Sequence, residues 1–281
     1  MIIGIGIVIA LAAAARSTWS PCGLSMLSQI TPMAEAGRQQ KFARTAGWFI
    51  AGAMLGGAML GGLIAVGAMV SSELSRTTSI ALVGMFSLVA AAIDANVFGF
   101  GPPFLTRQVN EEWLSKYRAW IYGGGFGWQI GAGITTYVMT AAVPLMMVIG
   151  ALTGNAWAAF AIGAGFGLAR GLAVLMGARL HTPAALIAFH RRFDAWGEPV
   201  RQAVIFVQLA VAVAAGRIVA PTAVAVVVSV AAIGLVVRML GPLRAVVFPH
   251  DEPTAPAAIR ADDAGTFDQA PNPQSRSLSK L

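Results

Sequence analysis

The chain has 281 residues, of which 57% are hydrophobic and only 11% charged, with 32 glycines, one cysteine and a net charge of +7. Soluble domains carry about a quarter of their residues as charges, so this composition and a mean hydropathy of +0.72 exclude an ordinary water-soluble domain. A single thiol excludes an intramolecular disulfide, and the basic excess gives no reason to expect nucleic acid, because it lies in short loops between apolar runs.

In chain order the apolar runs predict seven spans: Ile2–Ile30, Thr45–Val70, Ser79–Phe98, Ala119–Gly150, Asn155–Ala178, Gln202–Ala215 and Val219–Leu240. Their apolar residues are continuous rather than alternating, which predicts a bundle of membrane helices and not a barrel. A crossing needs roughly 20 residues. The first and fourth runs are therefore over-long and each is expected to bend or break, while the sixth is short, with residues before Gln202 or after Ala215 open to it as an extension. The opening run has no basic segment before it, so it is expected to stay as span one rather than be cleaved.

Basic residues sort the connections. Arg38, Lys41 and Arg44 follow span one, and Arg107, Lys116 and Arg118 follow span three. Arg179, Arg191, Arg192 and Arg201 follow span five, while the intervening connections hold only Arg76 and Arg217. The positive-inside rule then predicts an outer N-terminus, an inner C-terminus and residence in the cell membrane. After Phe248 the proline-rich, mixed-charge sequence reads as a disordered cytoplasmic tail.

Trp19 and Trp128 are 109 residues apart, and so are Trp48 and Trp157. At that offset "TWSPCGLSML" lies over "GWQIGAGITT", in spans one and four. A repeat of three spans must be inverted in its second copy, as in many carriers. The expected organisation is 1–98 as the first three-helix repeat, 99–118 as a cytoplasmic loop, and 119–218 as the second, inverted repeat. A seventh helix over 219–248 and the tail over 249–281 complete it. Within the motifs, Pro21 removes a backbone hydrogen bond and should break span one. Gly131 and Gly133 give span four similar freedom. Trp19, Ser20, Pro21, Pro32, Trp128, Gln129, Gly131 and Gly133 are thus the candidate break and cavity residues, with Gln29, Ser25, Ser28, Thr135 and Thr136 as further polar groups at membrane depth.

"SPCGLSMLSQITP" resembles the first-helix motif of the cytochrome c biogenesis CcdA / DsbD transmembrane-domain family, within the LysE-type transporter superfamily. "GGFGWQIGAG" resembles that family's fourth-helix motif, over a likeness of roughly residues 1–215. The resemblance implies an all-α polytopic fold with broken helices, transfer of reducing equivalents by a cysteine pair, and a thioredoxin-like partner. Only Cys22 of that pair is present, since Ile130 and Gly131 stand where the second proline and cysteine belong. Electron relay through an internal disulfide needs a resolving thiol. Cys22 therefore reads as a buried packing residue, as a one-thiol catalytic group forming a mixed disulfide with a partner, or as a soft metal ligand. His181, His190 and His250 lie in loop or tail positions, so no metal site and no cofactor is expected.

Arg16, Asp94 and Arg170 are charges inside spans. Such residues face the bundle interior and pair, so an Asp94 pair with Arg170 or Arg16 is expected. The glycines of "GAMLGGAMLGG" have small-xxx-small spacing for close helix packing. Three functions fit: a thiol–disulfide transporter altered by loss of one cysteine, a small-solute or ion exporter, and a non-catalytic assembly subunit. No acid pair, catalytic triad or phosphate loop marks a conventional enzyme. The expected partners are the lipid bilayer and a thioredoxin-like protein, not nucleic acid.

Overall fold

The computed structural model describes residues 1–97, 99, 102, 117–134, 137–219, 226, 227 and 229–237. The expected tail, most of the 99–118 loop, Phe98, Thr135, Thr136, Arg107, Lys116, Arg238, Arg244 and His250 lie outside the described residues. Those described form an all-α fold without a strand.

Span one divides into α1 (Ile2–Ser17) and α2 (Pro21–Gln29), bent by 68°. A short α3 (Pro32–Gly37) leads into α4 (Phe42–Val70), and α5 covers Arg76–Asp94. The fourth span divides into α6 (Ala119–Ala132) and α7 (Ala142–Ala151). Then come α8 (Ala156–Leu172), which tightens into a 3-10 stretch over Ala173–Arg179, and α9 (Pro183–Val219). Residues 226, 227 and 229–237 are helical. Ser20, Thr31, Ser75, Asn155 and Thr182 each accept a backbone N–H three residues on, the side-chain capping that starts a helix.

Among the described residues four helices are long and apolar enough to cross a membrane, or five if the bent pair is one span. Seven were expected. The fourth span supplies two pieces of 14 and 10 residues, each too short to cross alone. The sixth differs more. Residues 183–201, expected as a loop, are the first half of a continuous 37-residue helix containing Pro199. The physical reason is local: a Thr182 cap, Pro183 at the first position and an apolar stripe through Leu186, Phe189 and Phe193 favour helix before the membrane run begins.

Close backbone approaches fix the helix directions. Gly52 lies against the Gly124 carbonyl and Gly56 against the Trp128 carbonyl, so α4 and α6 run parallel. Gly57 meets Gly163 and Gly167, Gly61 meets Phe160, and Gly171 meets Ile50, so α4 and α8 run antiparallel. Gly84 of α5 meets Ala215 of α9, and the Asp94 carbonyl accepts from Arg201 of α9. That pair is antiparallel too. At the 109-residue offset α4 overlies α8 with its 3-10 stretch, and α5 overlies the first half of α9, and each of these pairs runs antiparallel. Opposed directions are what an inverted repeat requires. The end of the bundle where α4 and α6 begin carries Arg38, Lys41, Arg44 and Arg118 and is called the basic end below.

Candidate functional site at the paired helix breaks

Pro21 does not kink a continuing helix. Ser20 ends the break in extended conformation, its hydroxyl accepting from the Gly23 amide at 3.2 Å, and Pro21 takes the first position of α2, where a missing N–H costs nothing. A side chain at position 23 would lie 2.1 Å from the Thr18 carbonyl oxygen, so glycine is required. Trp19 stacks on Phe193 of α9 at 4.3 Å and donates its indole N–H to the Phe193 carbonyl at 2.7 Å. Ser28 contacts His190 of α9 at 3.2 Å. The charged first half of α9 is thereby seated on α2. Pro32 repeats the design: it opens α3 behind a Thr31 cap.

The second break follows Gly133, which has φ +69 and a backbone that a β-branched or bulky residue would strain. Gly131 is closed in another way. A Cβ there would lie 2.0 Å from the Ala53 carbonyl oxygen of α4. The position that the resemblance assigns to a second cysteine has no room for a side chain. Trp128 and Gln129 line a groove of about 480 Å³ together with Trp48 and Trp120.

Arg170 joins the two breaks. Only 2% exposed, its guanidinium donates to the Ile130 carbonyl at 2.8 Å and to the Ser17 carbonyl at 3.2 Å. These oxygens belong to the ends of α6 and α1, where they also accept from the Gly133 and Ser20 amides, each at 3.2 Å. Cys22 is 2% exposed, packed with Met26, Leu27, Phe49, Phe126 and Ile130, and lies within electrostatic range of Arg170. The arrangement is a thiol in the first turn of a half-helix, inside the bundle, beside a buried cation.

Asp94 does not bond to Arg170. Its carboxylate, in a residue 5% exposed, accepts from the Thr140 hydroxyl at 2.7 Å, the Ala141 amide at 2.7 Å and the Gln208 amide at 2.9 Å. The expected ion pair is replaced by neutral donors because Thr140 and Ala141 lie in the second break, just ahead of α7, and reach the end of α5 first. Arg16 instead lines, with Asp94, Asn96, Met139 and Arg201, a cavity of about 280 Å³.

One cluster escaped the sequence reading. Glu35 of α3 is fully buried, accepting from Tyr122 of α6 at 2.7 and 2.9 Å, from Arg38 at 2.9 Å and from Thr45 of α4. Arg38 also donates to the Gln29 carbonyl at 2.8 Å. The available signal was an acidic residue set alone in a basic connection.

This chain is 32% identical over 174 residues to methylamine utilization protein MauF of Paracoccus denitrificans, covering 60% of this chain and 62% of that protein. It is 30% identical over 181 residues to MauF of Methylobacillus flagellatus, covering 61% and 62%, and 29% identical over 163 residues to MauF of Paracoccus versutus, covering 56% and 59%. The likeness spans about three fifths of the length of these relatives. No family model matches the chain, and no solved structure matches it.

Proposed function

We propose that this membrane protein serves an accessory thiol–disulfide step, in a process of the methylamine-utilization kind named for its relatives. It would sit in the cell membrane with its basic end toward the cytoplasm. The supporting observation is the setting of Cys22, in the first turn of a half-helix beside Arg170, at a break paired with a second one. The resemblance to the CcdA / DsbD transmembrane domains supports the same chemistry. With one thiol the exchange is intermolecular. The Cys22 sulfur attacks a thioredoxin-like partner's disulfide, forming one S–S bond to the partner and releasing the partner's other sulfur as thiolate. A second partner thiolate then reverses the link.

The test is complementation of a Paracoccus denitrificans strain deleted for MauF, scored by growth on methylamine against the same strain with empty vector. The intact chain restores growth, Cys22→Ser does not, and a mixed disulfide through Cys22 is trapped by acid quench. Full growth with Cys22→Ser sinks the thiol mechanism. A second reading, a small-solute carrier, draws support from the paired breaks and the polar cavity at Asp94. Solute flux in proteoliposomes that survives Cys22→Ser favours it.

A further inference from the structure

The hydrogen bonding of Asp94 contains an imbalance that the thiol chemistry does not use. All three groups donating to its carboxylate are neutral. The charged groups facing it from neighbouring helices, among the described residues, are Arg16 of α1 and Arg201 with Glu198 of α9. Arg201 is occupied by Glu198 at 2.7 and 2.9 Å and gives its remaining contact to the Asp94 backbone carbonyl at 3.0 Å. Arg16 stands across the 280 Å³ cavity, its Nε buried without a hydrogen-bond partner. No cation lies within ion-pair distance of the carboxylate among the described residues.

The second observation is on α9. Gln208 is 0% exposed; its Nε2 donates to Asp94 while its Oε1 has no partner among the described residues. An orphaned buried acceptor is costly. A proton on Oδ2 of Asp94 gives Oε1 a donor, while Nε2 turns to the position that Oε1 leaves. Turning the Gln208 amide by half a rotation presents Oε1 to the new O–H, and the Thr140 hydroxyl can rotate to keep its bond to the Ala142 amide.

We propose that Asp94 is a proton-binding site inside the bundle, filled from the polar cavity it borders and read out by the amide of Gln208. Proton binding forms one O–H bond at Oδ2 and takes the carboxyl from −1 to neutral. It weakens acceptance from the Ala141 amide and removes a negative charge from the front of α7, where the helix dipole favours one. The contacts of α5 with both the second break and α9 therefore change with the proton. This holds whatever Cys22 does.

Infrared difference spectroscopy of the full chain in lipid nanodiscs, titrated with acid, tests it. The wild type is expected to show a carboxylic-acid carbonyl band that appears on acidification and is accompanied by a glutamine amide change. Asp94→Asn abolishes the band. Gln208→Leu, which deletes both the donor to the charged form and the acceptor for the protonated one, abolishes the glutamine amide change and moves the midpoint. Because Glu35 is also a buried carboxyl, sensitivity to Gln208→Leu identifies the band should Asp94→Asn fail to fold. Absence of a titrating band, or one indifferent to Gln208→Leu, overturns the proposal.

Discussion

Arg170 illustrates what a single residue contributes here. Burying a guanidinium is expensive unless its donors are used, and two of them satisfy carbonyls of helix ends far apart in sequence, Ser17 and Ile130. Arg170→Leu removes one of the two donors to each oxygen, leaving the Ser20 and Gly133 amides at 3.2 Å, and a loss of roughly 1–3 kcal/mol follows. Arg170→Lys keeps the charge but lacks the planar fork that spans both carbonyls, so it should lie between. Thermal unfolding in detergent measures the order, and an Arg170→Leu protein as stable as wild type refutes the bracing role. The sequence marks Arg170 as a buried charge but not its partners, because backbone carbonyls have no sequence signature. Asp94 was legible to the same extent. Glu35 was not, since a Glu in a loop looks like any solvated acid until α3 folds under α4 and α6.

Helices in lipid gain little from burying apolar surface against one another and depend on close packing. The glycines of α4 show this: Gly52 and Gly56 receive α6, Gly57 and Gly61 receive α8, and each would place a Cβ within 2.6 Å of a facing backbone atom. Gly57→Ala and Gly131→Ala are expected to destabilise by about 1–3 kcal/mol. Gly165→Ala, on the same α8 but with nothing within 4 Å of its Cβ, is expected to be neutral or slightly stabilising because alanine favours helix. Unfolding midpoints of the three variants decide it; equal losses would mean the stripe is not the packing surface. The "GAMLGG" spacing disclosed this element's purpose in advance. It did not disclose which helix each glycine meets, and the charges at Arg191, Arg192, Asp194 and Glu198 masked the local signals that start α9 at Pro183.

For the whole molecule, the proposed orientation can be read by labelling. In a Cys22→Ser background, a cysteine at Gln39 is expected to react with an impermeant maleimide only from the cytoplasmic side. One at Gly154, at the opposite end of the bundle, should react only from outside. Reversed labelling overturns the orientation. Composition alone settled that lipid is the solvent and that the fold is helical, since unpaired backbone cannot cross a bilayer. Pro21 placed the first break, because a missing backbone N–H is a local property written into the chain. What tertiary structure decided is which groups meet: Arg170 with two break carbonyls, Asp94 with Thr140, Ala141 and Gln208 rather than a cation, and position 131 against the Ala53 carbonyl. Those contacts join residues some 40 to 150 positions apart, and their choice depends on which donor or acceptor the packed helices bring within about 3 Å, a distance no spacing in the sequence encodes.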